Sequence, residues 1–239
     1  MKWFNSKWPL FILSAGFLLL QSGCQGRKTP ALFEQLSSST TNIKFENTLP
    51  EREMLNILYY LYFYNGGGVS TGDINNDGLV DIYFTANSKG NNKLYLNKGD
   101  FKFEDITASA GVAGTADWCS GVTMADINAD GYLDIYVAAS SGHHGLTGRH
   151  QLFINNKNNS FTEKAVEYGL DFSGFGTQAA FFDYDRDGDL DCYLLNHSQK
   201  PNSNIQDTIF RHTPDSLSGD RLYRNDIAVT GKFTNVSAA

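Results

Sequence analysis

The apolar residues of this chain fall into short runs divided by polar, Gly- and Asn-rich segments, and from Gly66 onward the runs recur in one order. "GVSTGD", "GVTMAD" and "AAFFD" each lead into an acidic loop, and "DIYF", "DIYV" and "DCYL" leave it. "KLYLN", "QLFIN" and "RLYRN" follow, and "FKFEDIT", "SFTEKAV" and "KFTNVS" close each unit. Short runs rich in β-branched and aromatic residues and bounded by turn residues predict strands. "NKGD" and "NKNNS" have hairpin-turn chemistry. The acidic loops start at Asp73, Asp126 and Asp183, which are 53 and 57 residues apart. Four strands in about 55 residues make one propeller blade. The pattern therefore predicts an all-β chain of β-propeller blades, each a four-stranded antiparallel sheet, in a partial propeller of about three blades. The units fall at about 66–118, 119–175 and 176–239, within a domain covering 42–239. In the third unit a long loop, residues 196–222, separates the second and third strands.

The strand after each acidic loop is apolar at both parities, with Val80, Ile82 and Phe84 on one face and Tyr83 on the other. Such a strand is buried on both faces. Tyr83, Tyr136 and Tyr193 share one repeat position and read as packing aromatics whose hydroxyls reach a partner. Upstream, "NIKFENTL" (42–49) reads as a first strand, and the aromatic run "MLNILYYLYFYN" (54–65) as a buried strand or a short helix, with its aromatic content and the "NGGG" that follows favouring the strand.

The acidic loops carry the chemistry. Counted from the first Asp, positions 1, 3, 5 and 9 are Asp73, Asn75, Asp77, Asp81; Asp126, Asn128, Asp130, Asp134; and Asp183, Asp185, Asp187, Asp191. Position 6 is always Gly, and position 7 varies: Leu79, Tyr132, Asp189. Short oxygen-bearing side chains at alternate positions of a tight turn can converge on one hard cation such as Ca²⁺, with the position-7 carbonyl as a further ligand. Two carboxylates about 4 Å apart repel by roughly 4 kcal/mol at an effective dielectric near 20, so a metal-free loop is costly. About three Ca²⁺ sites are expected. An EF-hand needs a bidentate acid at position 12; here Phe84, Val137 and Leu194 stand there, which excludes it.

Charge agrees. The three loops hold eleven of the 26 acidic residues, and three divalent cations would turn the net charge of −7 into −7 + 6 = −1. That acidity excludes a nucleic-acid binder. At the N-terminus, "MKWFNSKWP", an apolar run of about eleven residues and "QSGC" read as a secretory signal over 1–23. Cys24 follows small residues, as in a bacterial lipobox, and is the expected lipidation site. Residues 24–41 form a polar tether. The membrane is then reached through the lipid alone, and the expected location is the cell envelope, as an outer-membrane or cell-surface lipoprotein. Cys119 and Cys192 read as buried free thiols, with a disulfide as the alternative.

Other motifs are weak. "GVSTG" around Ser70 fits a nucleophile-elbow pattern, but its repeat equivalents lack the serine and it leads to an Asp loop rather than a helix. His143 and His144, with His150 nearby, read as a solvated loop rather than a transition-metal site.

The Asp loops and their flanking strands resemble FG-GAP/VCBS repeats. The stretches "NGGGVSTGDINNDGLVDIYFTAN", "NKLYLNKGDFKFEDITASAGV" and "GTQAAFFDYDRDGDLDCYLLNHS" resemble the N-terminal propeller of proteins related to the cartilage acidic protein and ASPIC/UnbV family. The resemblance implies a calcium-bearing propeller of an exported or surface protein. Closure takes about four to eight blades, so three units are expected to belong to a longer propeller. The function expected is binding or adhesion towards a protein or glycan, not catalysis. The alternative is a polysaccharide-active propeller enzyme with catalytic groups on inter-strand loops.

Overall fold

The computed structural model describes residues 31–49, 51–198 and 215–237. The chain divides into two compact units, Met1–Ser37 and Ser38–Ala239. The signal segment and Cys24 lie outside the described residues, and residues 31–37 are exposed and form no helix or strand. Among the described residues no helix is long and apolar enough to cross a membrane.

The second unit opens with a helical turn, α1 (Ser38–Thr41), and its described residues form three four-stranded antiparallel sheets. The first is β1 (Val69–Gly72), β2 (Asp81–Phe84), β3 (Lys93–Asn97) and β4 (Phe103–Asp105), followed by α2 (Thr107–Ala110). The second is β5 (Cys119–Ala125), β6 (Asp134–Ala139), β7 (Gln151–Asn155) and β8 (Phe161–Glu163), followed by α3 (Ala165–Tyr168). The third is β9 (Gly176–Phe182), β10 (Asp191–Asn196), β11 (Arg221–Asp226) and β12 (Lys232–Asn235), with α4 (Ile227–Thr230) inside its last hairpin. Each sheet pairs its strands in chain order. The predicted all-β, blade-like architecture is what the chain adopts, one sheet per repeat unit.

The sheets stack through two apolar cores. Tyr83, Leu94 and Leu96 of the first sheet meet Ile135, Val137 and Phe153 of the second. Tyr136, Leu152 and Ile154, from the other face of the second sheet, meet Ala179, Cys192 and Leu194 of the third. β6 is therefore buried at every position, whereas β2 and β10 bury mainly one face. Burial on both faces thus holds only for the middle unit, the one packed on both sides. Cys119 and Cys192 are free, buried and in different cores.

The first strands of neighbouring sheets approach closely. Ser120 and Thr123 hydroxyls donate to the Gly176 and Ala179 carbonyls at 2.7 and 2.6 Å, and Gln178 Nε2 donates to the Val122 carbonyl at 3.2 Å. A Cβ on Gly121 would stand 2.4 Å from the Thr177 carbonyl oxygen, so only glycine admits this contact.

Two expectations are corrected. Residues 42–49 form no strand. They run over the outer face of the first sheet instead, where Phe45 stacks on Phe84 at 4.8 Å and the Lys44 amide donates to the Tyr95 hydroxyl. Residues 54–65 also form no strand; they make successive turns, with amides of Tyr60 and Phe63 donating to carbonyls of Asn56 and Tyr60. These turns satisfy the backbone locally, so no ladder is needed. Leu55, Tyr60 and Phe63 then form a third core with Trp118 and Leu146.

Candidate metal centres at the blade loops

The three acidic loops connect the first and second strands of their sheets and repeat one hydrogen-bond plan. Asp73 accepts from the Asp77 and Gly78 amides at 3.1 and 2.7 Å, and Asp126 accepts from the Asp130 and Gly131 amides at 2.9 Å each. Asp183 accepts from the Asp187 and Gly188 amides at 3.2 Å each. The position-5 carboxylates of Asp77, Asp130 and Asp187 take the amides of Leu79, Tyr132 and Asp189. Gly78, Gly131 and Gly188 have φ of 85°, 88° and 98°, the left-handed region that favours glycine. Position 4 is left-handed too, at Asn76, Ala129 and Arg186, and nothing in the residue identities announced it.

Position 9 does more than the sequence suggested. Asp81, Asp134 and Asp191 are fully buried, and each splits its two oxygens between two backbone amides. One oxygen accepts from position 2 of its own loop (Ile74, Ile127, Tyr184) at 2.9–3.0 Å. The other accepts from the last-but-one or last residues of the third strand (Asn97, Asn155, Asn225) at 2.8–2.9 Å. Those three asparagines return a bond through Nδ2 to the carbonyls of Val80, Leu133 and Leu190. They were missed as loop residues, although the Asn recurs in "KLYLN", "QLFIN" and "RLYRN".

The loops differ in charge. Asn75 and Asn128 donate to Asp77 and Asp130, which moderates the repulsion. Lys157 Nζ lies 3.4 Å from Asp130. The third loop has no such asparagine. Carboxylate oxygens of Asp183, Asp185 and Asp187 can lie within 4.8 Å of one another. Asp189 Oδ1 is shielded from solvent with no hydrogen-bond partner. Burial, then the charges of Asp187 and Asp191, push the Asp189 pKa up to about 6. Burial, then Asp130 and Asp126, push Asp134 to about 6 against two amide hydrogen bonds, and Asp81 is raised for the same reasons. Oxygen-only donors, mutual repulsion and an orphaned carboxylate oxygen fit a hard divalent cation.

At the opposite ends of the sheets a second repeated pairing joins the Tyr position to the residue before the third strand. Asn92 Nδ2 meets the Tyr83 hydroxyl at 3.1 Å, His150 Nδ1 meets Tyr136 at 2.8 Å, and Asp220 accepts from Tyr193 at 3.0 Å. The hydroxyls of these tyrosines do reach partners, but the partners' identities change from unit to unit, which hid them in the sequence. His150 is thereby removed from any loop site: it is buried, its Nε2 donates to the Ala139 carbonyl, and burial holds its pKa down at about 3. His143 is not solvated either; it is half-buried against Tyr60 and Phe175, and burial, then His144 and His197, lower its pKa to about 4.

Ser70 stands in β1 opposite Tyr83, in a strand that leads to an acidic loop. That placement is not a nucleophile elbow, which joins a strand to a helix.

Residues 73–137 match the family model described as FG-GAP-like repeat. That match spans 65 of the 239 residues and takes in the first two acidic loops. The chain is 35% identical over 137 residues to cartilage acidic protein 1 of Xenopus tropicalis, covering 56% of this chain and 20% of that protein. It is 44% identical over 84 residues to cartilage acidic protein 1 of Homo sapiens, covering 35% of this chain and 13% of that protein. The Mus musculus protein of that name is 42% identical over 81 residues, covering 34% and 12%. The chain thus spans a fifth or less of the length of these curated relatives. A solved Agrocybe aegerita lectin, described as recognising non-reducing terminal N-acetylglucosamine, aligns over 70% of this chain and 36% of its own, at 16% identity and a TM-score of 0.38.

Proposed function

We propose that this chain is a calcium-stabilised binding or adhesion module of an exported bacterial surface lipoprotein, directed at a protein or glycan. The likeness of residues 73–137 to FG-GAP-like repeats supports a binding role. The observation that carries the calcium reading is the third loop, where carboxylates at alternate positions converge without a compensating cation among their hydrogen-bond partners. In this reading the residues at positions 1, 3, 5 and 9 and the position-7 carbonyl hold Ca²⁺. Position 9 ties the loaded loop to the third strand. The role of the ion is structural: it relieves repulsion and fixes the turn between two strands.

Extracellular sites of this kind bind with Kd around 0.1–1 mM. At a tenfold excess each adds about 1.4 kcal/mol to folding. Calorimetry with calcium and with a chelator tests this. Chelation lowers the transition temperature; an unchanged transition rejects structural calcium. Anchoring is tested apart from it: fatty-acid labelling is lost in Cys24→Ser, and labelling that persists rejects the lipid site.

A further inference from the structure

A cavity of about 230 Å³ lies where the turns of residues 54–65 meet the ends of β6 and β10 and the start of β9. Tyr59, Tyr62, His143, His144, Phe175 and His197 line most of it, and among the described residues no Asp, Glu, Lys or Arg does. Its inner wall is fixed by ordinary hydrogen bonds and ring contacts. Ser140 Oγ meets His143 Nε2 at 2.8 Å and His197 Nε2 at 3.2 Å, and the Tyr60 hydroxyl meets His197 Nε2 at 3.2 Å. Phe175 lies parallel to the His197 ring at 5.2 Å. The rest of the lining is not engaged in this way. Tyr59 is 54% exposed and stacks on no described ring. His143 Nδ1, both His144 nitrogens and the Tyr59 and Tyr62 hydroxyls have no hydrogen-bond partner among the described residues.

We infer that this cavity binds one neutral pyranose ring, a single residue of a glycan, which rests on the binding role proposed above and gives it a place and a target class. Tyr59 is the stacking platform and His144 the principal hydrogen-bonding group. An anion would find no cationic side chain in the lining, and an ammonium or metal ion no carboxylate. Burial lowers the pKa of His143, to about 4, and that of His197, so both are neutral at pH 7. A purely apolar guest would strand the unengaged nitrogens and hydroxyls away from water. A sugar ring avoids both penalties. Its C–H face lies on the electron-rich face of an aromatic ring. Each of its hydroxyls gives and takes a hydrogen bond, as the donor and acceptor nitrogens of a neutral imidazole do. The volume is below the roughly 300–1,000 Å³ of drug-sized pockets, so one ring fits and a folded oligosaccharide does not.

Saturation-transfer-difference NMR on the full chain in calcium tests the site, with the methyl glycosides of glucose, galactose, mannose and xylose as probes. At least one should receive saturation on its ring C–H protons at millimolar concentration. Its titration should move the imidazole C–H resonances of His144 and not those of the buried His150. Tyr59→Ala and His144→Ala should each weaken binding by about 2–12-fold. Tyr64→Ala, at an exposed tyrosine outside this cavity, should leave it unchanged. Transfer to none of the four glycosides, or transfer that Tyr59→Ala and His144→Ala leave unaltered, overturns the site. The histidine shifts need no variant, so they decide the matter should a substitution unfold the chain; an unmoved His144 overturns the site. Attachment to immobilised cellulose or collagen that is equal in wild type and Tyr59→Ala would overturn the cavity and leave the binding role standing.

Discussion

The second and third repeat units share strand order, loop plan and apolar composition, yet they are buried differently. The Tyr of the shared position is 1% exposed at Tyr136 and 36% exposed at Tyr193. Position 2 of the acidic loop behaves alike: Ile127 is buried and Tyr184 is exposed. Both positions of a unit face the unit that follows it, and the first unit obeys the rule, with Tyr83 and Ile74 buried against the second. The opposite ends of the stack are also unequal. The outer face of the first sheet is covered by residues 42–49, while the third sheet leaves Phe182, Tyr193 and Leu195 open. Burial in a repeat protein is thus set by neighbours as much as by residue type.

The comparison breaks most readily at the tyrosines. Tyr136→Ala removes an aromatic that fills a core and carries the His150 bond, and should cost about 3–5 kcal/mol in urea unfolding. Tyr193→Ala, at the open face, should cost under about 1 kcal/mol. Equal losses would show that the two faces are not distinguished as described.

A smaller effect tests the partner that distinguishes the middle unit. The folded-state pKa of His150 is depressed to about 3, below the unfolded value of about 6.5. Its contribution is therefore complete above about pH 6.5 and is lost progressively as pH falls towards about 3, at about 1.4 kcal/mol per pH unit. His150→Asn installs the residue that the first unit uses at this place, and the variant should lose that increment of acid sensitivity. Stability measured in urea between pH 6.5 and pH 4 checks it; parallel slopes for the two proteins would refute the assignment.

Strand runs, hairpin turns and the Asp–Gly spacing made the blades and acidic loops legible, because these features depend on local chemistry and recur. Residues 54–65 misled because an aromatic run satisfies the criteria for a strand while its backbone closes turns on Asn56 and Tyr60. The clustered histidines were hidden for another reason. His143 and His197 are 54 residues apart in sequence, and only stacking of the second and third sheets brings His197 to Ser140 and His143. The Tyr partners Asn92, His150 and Asp220 do one job with three side-chain chemistries, which a search for repeated letters passes over.

The Tyr60–His197 contact, spanning 137 residues, has a consequence for the order of events during synthesis. The aromatic segment leaves the ribosome first but waits for its partner for roughly 7–27 s at about 5–20 residues per second. Trp118 and Leu146 can cover Leu55 and Phe63 once the second unit is made, so it is the His197 side of Tyr60 that stays open for the whole interval. The residue that follows β10 thus decides when the cover of Tyr60 is complete.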